Sequence, residues 1–174
     1  LVGLRGMAQA TFERARARAT AEQDTEAFSE SLVIEAAFLI ALGELESARA
    51  RVREALATAE RDGHRLAASS ADALFARCDG LAGQLSGQRD HFARAVAAMS
   101  GYGREHQIGH IACLAAAESA LGHHDEAWQL LEQCRPRGTK AVFEPGIIAL
   151  QVAAQRAVVA ARRGDLEHAV RHAD

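Results

Sequence analysis

Leu121-Gly122-His123-His124-Asp125-Glu126-Ala127, followed by Leu131 and Cys134, is the stretch on which the reading of this chain turns. A helical apolar pattern runs into the glycine and a second one starts just beyond it. Glycine takes the left-handed conformation that ends a helix, which residues with a Cβ resist. The alanine five residues later falls where a second helix crosses the first closely. Apolar residues four and seven positions after it share the same buried stripe.

The same order of residues recurs. Leu42-Gly43-Glu44-Leu45-Glu46-Ser47-Ala48 leads to Val52 and Ala55, and Arg163-Gly164-Asp165-Leu166-Glu167-His168-Ala169 runs to the end of the sequence. Two looser copies start at Gly3, leading to Ala8, Phe12 and Ala15, and at Gly87, leading to Phe92, Val96 and Met99. The repeat turns are therefore placed at 3–8, 43–48, 87–92, 122–127 and 164–169. The glycines lie about 35 to 44 residues apart, the size of a helix pair. One copy in an alanine-rich chain would mean little; three good copies, each after a helical stretch, argue for a repeat.

The expected helices are Leu4–Glu22, Glu26–Leu42, Leu45–Arg61, Leu66–Leu85, Asp90–Met99, Arg104–Leu121, Asp125–Gln133, Pro145–Arg162 and Asp165–Ala173. Asp125 and Asp165 are read as N-terminal caps, and Asp24-Thr25, Asp62-Gly63 and Gly101–Gly103 as turns. Cys134–Glu144 is the longest irregular stretch, with Pro145 in the first turn of the next helix.

Composition agrees with this reading. Of 174 residues, 49% are hydrophobic and only 5% aromatic, and proline occurs twice, at Pro136 and Pro145. That mix favours helices packed closely through small residues, and no period-two run suggests a sheet. A net charge of −3 with interleaved signs gives no nucleic-acid face. Cys78, Cys113 and Cys134 are an odd number without a C-x-x-C, which suits a reducing cytoplasm. The most apolar run, Leu32–Leu42, is too short to span a bilayer and contains Glu35. The chain reads as one helical repeat domain over 1–174. Because it starts at Leu1 and stops inside a helical pattern at Asp174, it is expected to be a piece of a longer protein.

With these turns the sequence resembles the tetratricopeptide (TPR) superfamily. Gly122–Ala127 matches the family's inter-helix turn and the small residue of its second helix, and Pro136 falls near its closing proline. The family's tryptophan and tyrosine in the first helix are absent; Trp128 lies in a second helix, and the repeats exceed the usual length. The longer, alanine-rich repeats are similar to the C-terminal sensor regions of MalT-like, LuxR-type regulators. Ala71–Cys134 carries this likeness, with Ala-Asp-Ala-Leu-Phe-Ala-Arg-Cys, then Ala-Val-Ala-Ala-Met, then Tyr102-Gly103-Arg104-Glu105. The resemblance implies an all-α fold, antiparallel helix pairs stacked as a right-handed TPR-like α-solenoid. It also implies a P-loop ATPase and a helix-turn-helix elsewhere in the full protein.

The family's spacing, counted back from each glycine, gives the concave face. It comprises Glu30, Val33, Ala37 and Ile40; Leu74, Arg77, Leu81 and Gln84; Ala112, Ala116 and Ser119; and Gln151, Ala154, Val158 and Arg162. A small, apolar groove suits an amphipathic helix or an apolar small molecule, although several of these side chains could equally be core between neighbouring helices. Glu30, Arg77, Gln84, Ser119, Gln151 and Arg162 are its candidate polar contacts, since a polar group on an inner face needs a partner.

Other chemistry is poorly supported. His106 and His110, and His168 and His172, are spaced to share a helix face. Zinc needs at least a third protein ligand, and there is no H-E-x-x-H. His123-His124-Asp125-Glu126 fits a helix start, where acids favour the dipole. Arg135-Pro136-Arg137-Gly138-Thr139-Lys140 is a basic connector and not a P-loop. The cysteines read as small packing residues. The expectation is a cytoplasmic, non-enzymatic binding segment without cofactor or metal. Its partner is a protein or peptide, a small apolar inducer, or another copy of the chain; nucleic acid and membrane are not expected. The leading reading is the sensor segment of a larger transcriptional regulator. The alternatives are a stand-alone adaptor or scaffold and, last, a metal-dependent enzyme built on the histidine pairs.

Overall fold

The structure, a computed structural model, describes residues 2–134 and 147–171, the side chains at 2–4, 104–106, 147, 148 and 171 excepted. Among the described residues there is no strand. The helices are α1 (Val2–Ala21), α2 (Thr25–Ala41), α3 (Leu45–Asp62), α4 (Arg65–Leu81), α5 (Leu85–Ala98), α6 (Arg104–Ala120), α7 (His124–Gln133), α8 (Ile147–Arg162) and α9 (Leu166–Arg171). Each packs on the next, and in addition α2 packs on α4 and α6 on α8. That pattern is a stack of antiparallel pairs, α2/α3, α4/α5, α6/α7 and α8/α9, with α1 standing against α2 as a second helix would.

The turns inside the pairs share one construction. Gly43, Gly83, Gly122 and Gly164 all have φ between 74° and 89°. The next residue's N–H reaches back to close the helix: Glu44 to Leu39 O at 2.9 Å, Gln84 to Asp79 O at 2.8 Å, His123 to Glu118 O at 3.0 Å and Asp165 to Ala160 O at 2.9 Å. This is the six-to-one bond of a Schellman end. The α1–α2 turn makes the same bond, Asp24 N to Ala19 O at 2.9 Å, but Gln23 holds the left-handed position at φ 56°. Relief of that strain, partly offset by the freer unfolded chain, should make Gln23→Gly more stable by up to about 1 kcal/mol. A higher urea midpoint at unchanged slope would register it.

Two expected turns are corrected. Residues 3–8 lie inside α1, and Gly87 lies inside α5; the turn belongs to Gly83, so α4 ends at Leu81 and α5 begins at Leu85. The physical reason is a volume exchange. Five residues after Gly83 stands Gln88, where the neighbouring pairs have Ala48 and Ala127. Room for it comes from Gly80, where a Cβ would meet Gln88 Nε2 at 2.6 Å. Asp125 is also corrected: α7 starts at His124 after His123, and Asp125 sits within the first turn, accepting from Arg163 Nε at 2.9 Å. Asp165 does cap, accepting from the His168 N–H at 3.2 Å, as Asp24 does from Ala27 at 2.9 Å. The expectations for Arg135–Lys140, Pro136 and Pro145 fall outside the described residues.

Small residues make the crossings. Ala36, Ala76 and Ala115, each seven before its turn glycine, are fully buried, and Val52, Phe92 and Leu131, each nine after it, are also buried. Polar groups tie helices together. Ser69 Oγ donates to Ala95 O at 2.9 Å, linking α4 to α5. Buried Glu35 of α2 pairs with Arg16 of α1 and with Arg51 of α3. Buried Asp72 of α4 takes His91 Nδ1 at 2.9 Å and Arg94 Nε at 3.0 Å from α5, with the His91 ring stacked on Phe75. Arg49 lies 2.6 Å from Asp79 Oδ1 but off the line of an N–H, so that pair is ionic contact without a hydrogen bond.

Candidate protein-docking groove

The first helices of the pairs line one trough of about 440 Å³. Val33, Ile34 and Ala37 come from α2, and Ser70, Ala73, Leu74 and Arg77 from α4. Gly109, His110 and Cys113 come from α6 and Gln151 from α8, with Phe92 reaching in from α5. The spacing within α4 (70, 73, 74, 77) is one helical face. Val33, Ile34 and Ser70 also belong to an adjoining depression of about 360 Å³ with Glu30, Leu66 and Ala67, so the surface is elongated. Ile34 stands 59% exposed at the shared rim.

The trough is apolar apart from a few polar points. Arg77 is exposed and makes no ion pair with any described residue, whereas Glu35, Asp72 and Asp79 are all matched by cations elsewhere. Burial, and then the charge of Arg77, hold His110 below the ordinary imidazole range. Cys113 Sγ accepts from Gln151 Nε2 at 3.2 Å, which joins α6 to α8. Cys78 and Cys134 are buried packing residues, and burial pushes the Cys78 thiol up.

Of the residues expected on the concave face, Val33, Ala37, Leu74, Arg77 and Gln151 line the trough and Glu30 lines the adjoining depression. Three of the polar candidates have other places. Gln84 is the N-cap residue of α5 and accepts from Arg49 Nη2 at 3.3 Å. Ala112 and Ser119 are buried, and Arg162 donates to Ser119 Oγ at 2.9 Å, so those two polar candidates satisfy each other across α6 and α8. Ile34, Ser70, Ala73, Phe92, Gly109, His110 and Cys113 were not foreseen. Ser70 and Ala73 follow at once when the count starts from Gly83, at the positions Glu30 and Val33 hold before Gly43.

A second cavity of about 310 Å³ lies between α1 and α3. Its charged walls pair internally, Arg5 with Glu44 at 2.7 Å and Arg51 with Glu35 at 3.2 Å, leaving no unmatched charge among the described residues that line it. Among the described residues no group of three His, Cys, Asp or Glu could hold a metal ion. The side chains of His106 and His172 are outside the described ones; His168 Nδ1 pairs with Asp165 at 2.8 Å. Among the described residues no helix is long and apolar enough to cross a membrane.

No family model matches the chain, and no curated protein matches it. Solved structures do. BtubC (BKLC) from P. vanneervenii superposes with a TM-score of 0.79 at 14% identity, over 94% of this chain and 68% of that one. A putative kinesin light chain with nearly identical TPR-like repeats, from Podosopora anserina, gives 0.71 at 19%, over 98% and 85%. MamA protein gives 0.60 at 13%, over 96% and 88%. The fold is a TPR-like solenoid. At such identities the likeness is one of architecture alone.

Proposed function

We propose that this TPR-like array is a protein-interaction scaffold that docks a segment of a partner protein in the trough. The observation that carries the reading is Arg77: an exposed cation without an ion pair to any described residue, set among Val33, Ile34, Ala37, Ala73 and Leu74. An apolar segment with one acidic side chain complements it in both respects. The elongated, open form of the two joined depressions favours a chain segment over a small enclosed ligand. No catalytic step is assigned. The narrower reading, a sensor arm within a larger cytoplasmic regulator, draws support only from the sequence likeness of Ala71–Cys134; a stand-alone adaptor fits the same geometry.

Proteins retained by the immobilised chain test this. Arg77→Glu reverses the docking charge and Ala73→Arg fills the floor, and both sites tolerate change because Arg77 is exposed and Ala73 only half-buried. Each variant should lose at least about tenfold in affinity for the retained partner, about 1.4 kcal/mol, at unchanged helicity. A partner held equally by both variants contradicts the reading.

A further inference from the structure

We propose that docking in this trough is proton-coupled through His110: a carboxylate seated on Arg77 draws a proton onto His110, so acidic ligands bind more tightly as the pH falls. The inference rests on the docking reading above and goes beyond it by giving the groove a regulator.

Arg77 on α4 and His110 on α6 line the same trough. Among the described residues Cys113, from the same helix as His110, is the other ionisable group there; the side chain of His106, one turn earlier, is outside them. The side chains that α2, α5 and α8 bring to the trough are uncharged, and α7 brings none. Among the described lining residues the one carboxylate of the joined surface, Glu30, belongs to the adjoining depression.

In the free protein, burial and then Arg77 both disfavour the imidazolium. A carboxylate on Arg77 offsets that cation and adds a negative charge beside the ring, so the bound state takes up a proton. An apolar ligand without the acid acts in the opposite sense, because it removes water from the ring and adds no charge. His110 titrates at higher pH in the acid-bound state than in the free state. Above the bound midpoint the affinity is flat; as the pH falls from the bound to the free midpoint it rises, by at most about tenfold per pH unit for one proton.

Histidine ring signals followed by NMR across pH provide the test, in the free chain and with octanoate or octan-1-ol as probes. His110→Gln assigns the His110 signal among the eight histidines. Octanoate should perturb the methyl signals of Ile34 and Ala73 and raise the His110 midpoint by at least about half a pH unit, whereas octan-1-ol leaves it or lowers it. Arg77→Met should raise the midpoint in the free chain and abolish the octanoate effect. If octanoate perturbs those methyls without raising the midpoint, the coupling is wrong while docking stands. If it perturbs neither methyl, the docking reading fails and the coupling with it. If Arg77→Met leaves the free midpoint where it was, the coupling is refuted without any ligand.

Discussion

Glu35→Ala lowers the stability of the array by about 3 kcal/mol, concentrated in α1–α3. Glu35 is 5% exposed, and its two oxygens are held from opposite neighbours, one by Arg16 of α1 and one by Arg51 Nε of α3 at 3.2 Å. The two arginines do not lose equally. Arg51, with its side chain 39% exposed, keeps Glu54 at 3.4 Å and has water. Arg16, 16% exposed, is left as a cation with little of either, and that orphaned charge supplies most of the cost. Arg16→Met combined with Glu35→Leu should therefore recover most of the loss, since it removes both charges and keeps the volume. Urea unfolding measures the totals. Because repeats touch only their neighbours, hydrogen exchange should quicken in α1 and α2 and stay slow in α6 to α8. A uniform loss of protection would contradict the role of Glu35 as a local tie between three helices.

Gly87→Ala is expected to destabilise by about 1–2 kcal/mol while Gly80→Ala is close to neutral, although both glycines sit in the same α4–α5 crossing. Alanine gains about 1 kcal/mol of helix propensity at either site, so the sign depends on what the new methyl meets. At Gly87 it falls 2.5 Å from Asp79 Oδ2 and 3.2 Å from its Cγ. Asp79 is buried, with Arg49 at 2.6 Å and the His91 ring beside it, Nε2 at 3.7 Å, so its carboxylate cannot move without breaking the ionic contact to Arg49. At Gly80 the obstacle is the amide end of Gln88, which can turn aside. Paired urea curves for the two variants decide it. Equal costs would mean that Asp79 is freer, or Gln88 more fixed, than these contacts imply.

The repeat was legible wherever glycine and alanine kept their spacing, at Gly43, Gly122 and Gly164. It was lost at Gly83 because Gln88 replaces the small residue and Gly80 moves the space to the other helix, an exchange visible only when two helices are laid together. The resulting slip of four residues is close to one helical turn, so it kept the face while missing the register. Leu74 and Arg77 still fall among the residues that line the trough, while Gln84 was carried past the helix end and Ser70 and Ala73 were overlooked. His110 escaped for another reason. Its spacing from His106 suggested a metal pair, and what distinguishes it is Arg77, thirty-three residues earlier and on another helix. Ser119 and Arg162 were expected to meet a ligand, and instead meet each other.

The claim that the trough is the docking surface is tested most directly by photo-crosslinking in the protein's own cells. A benzophenone amino acid would replace Ala73 on the trough floor in one experiment and exposed Ala57, on the second helix of a pair, in another. The account predicts that Ala73 captures a partner through one apolar segment bearing an acidic residue, that Arg77→Glu abolishes the capture, and that Ala57 captures nothing comparable. Capture of the same partner from Ala57 and not from Ala73 would place docking on the outer helices and contradict it.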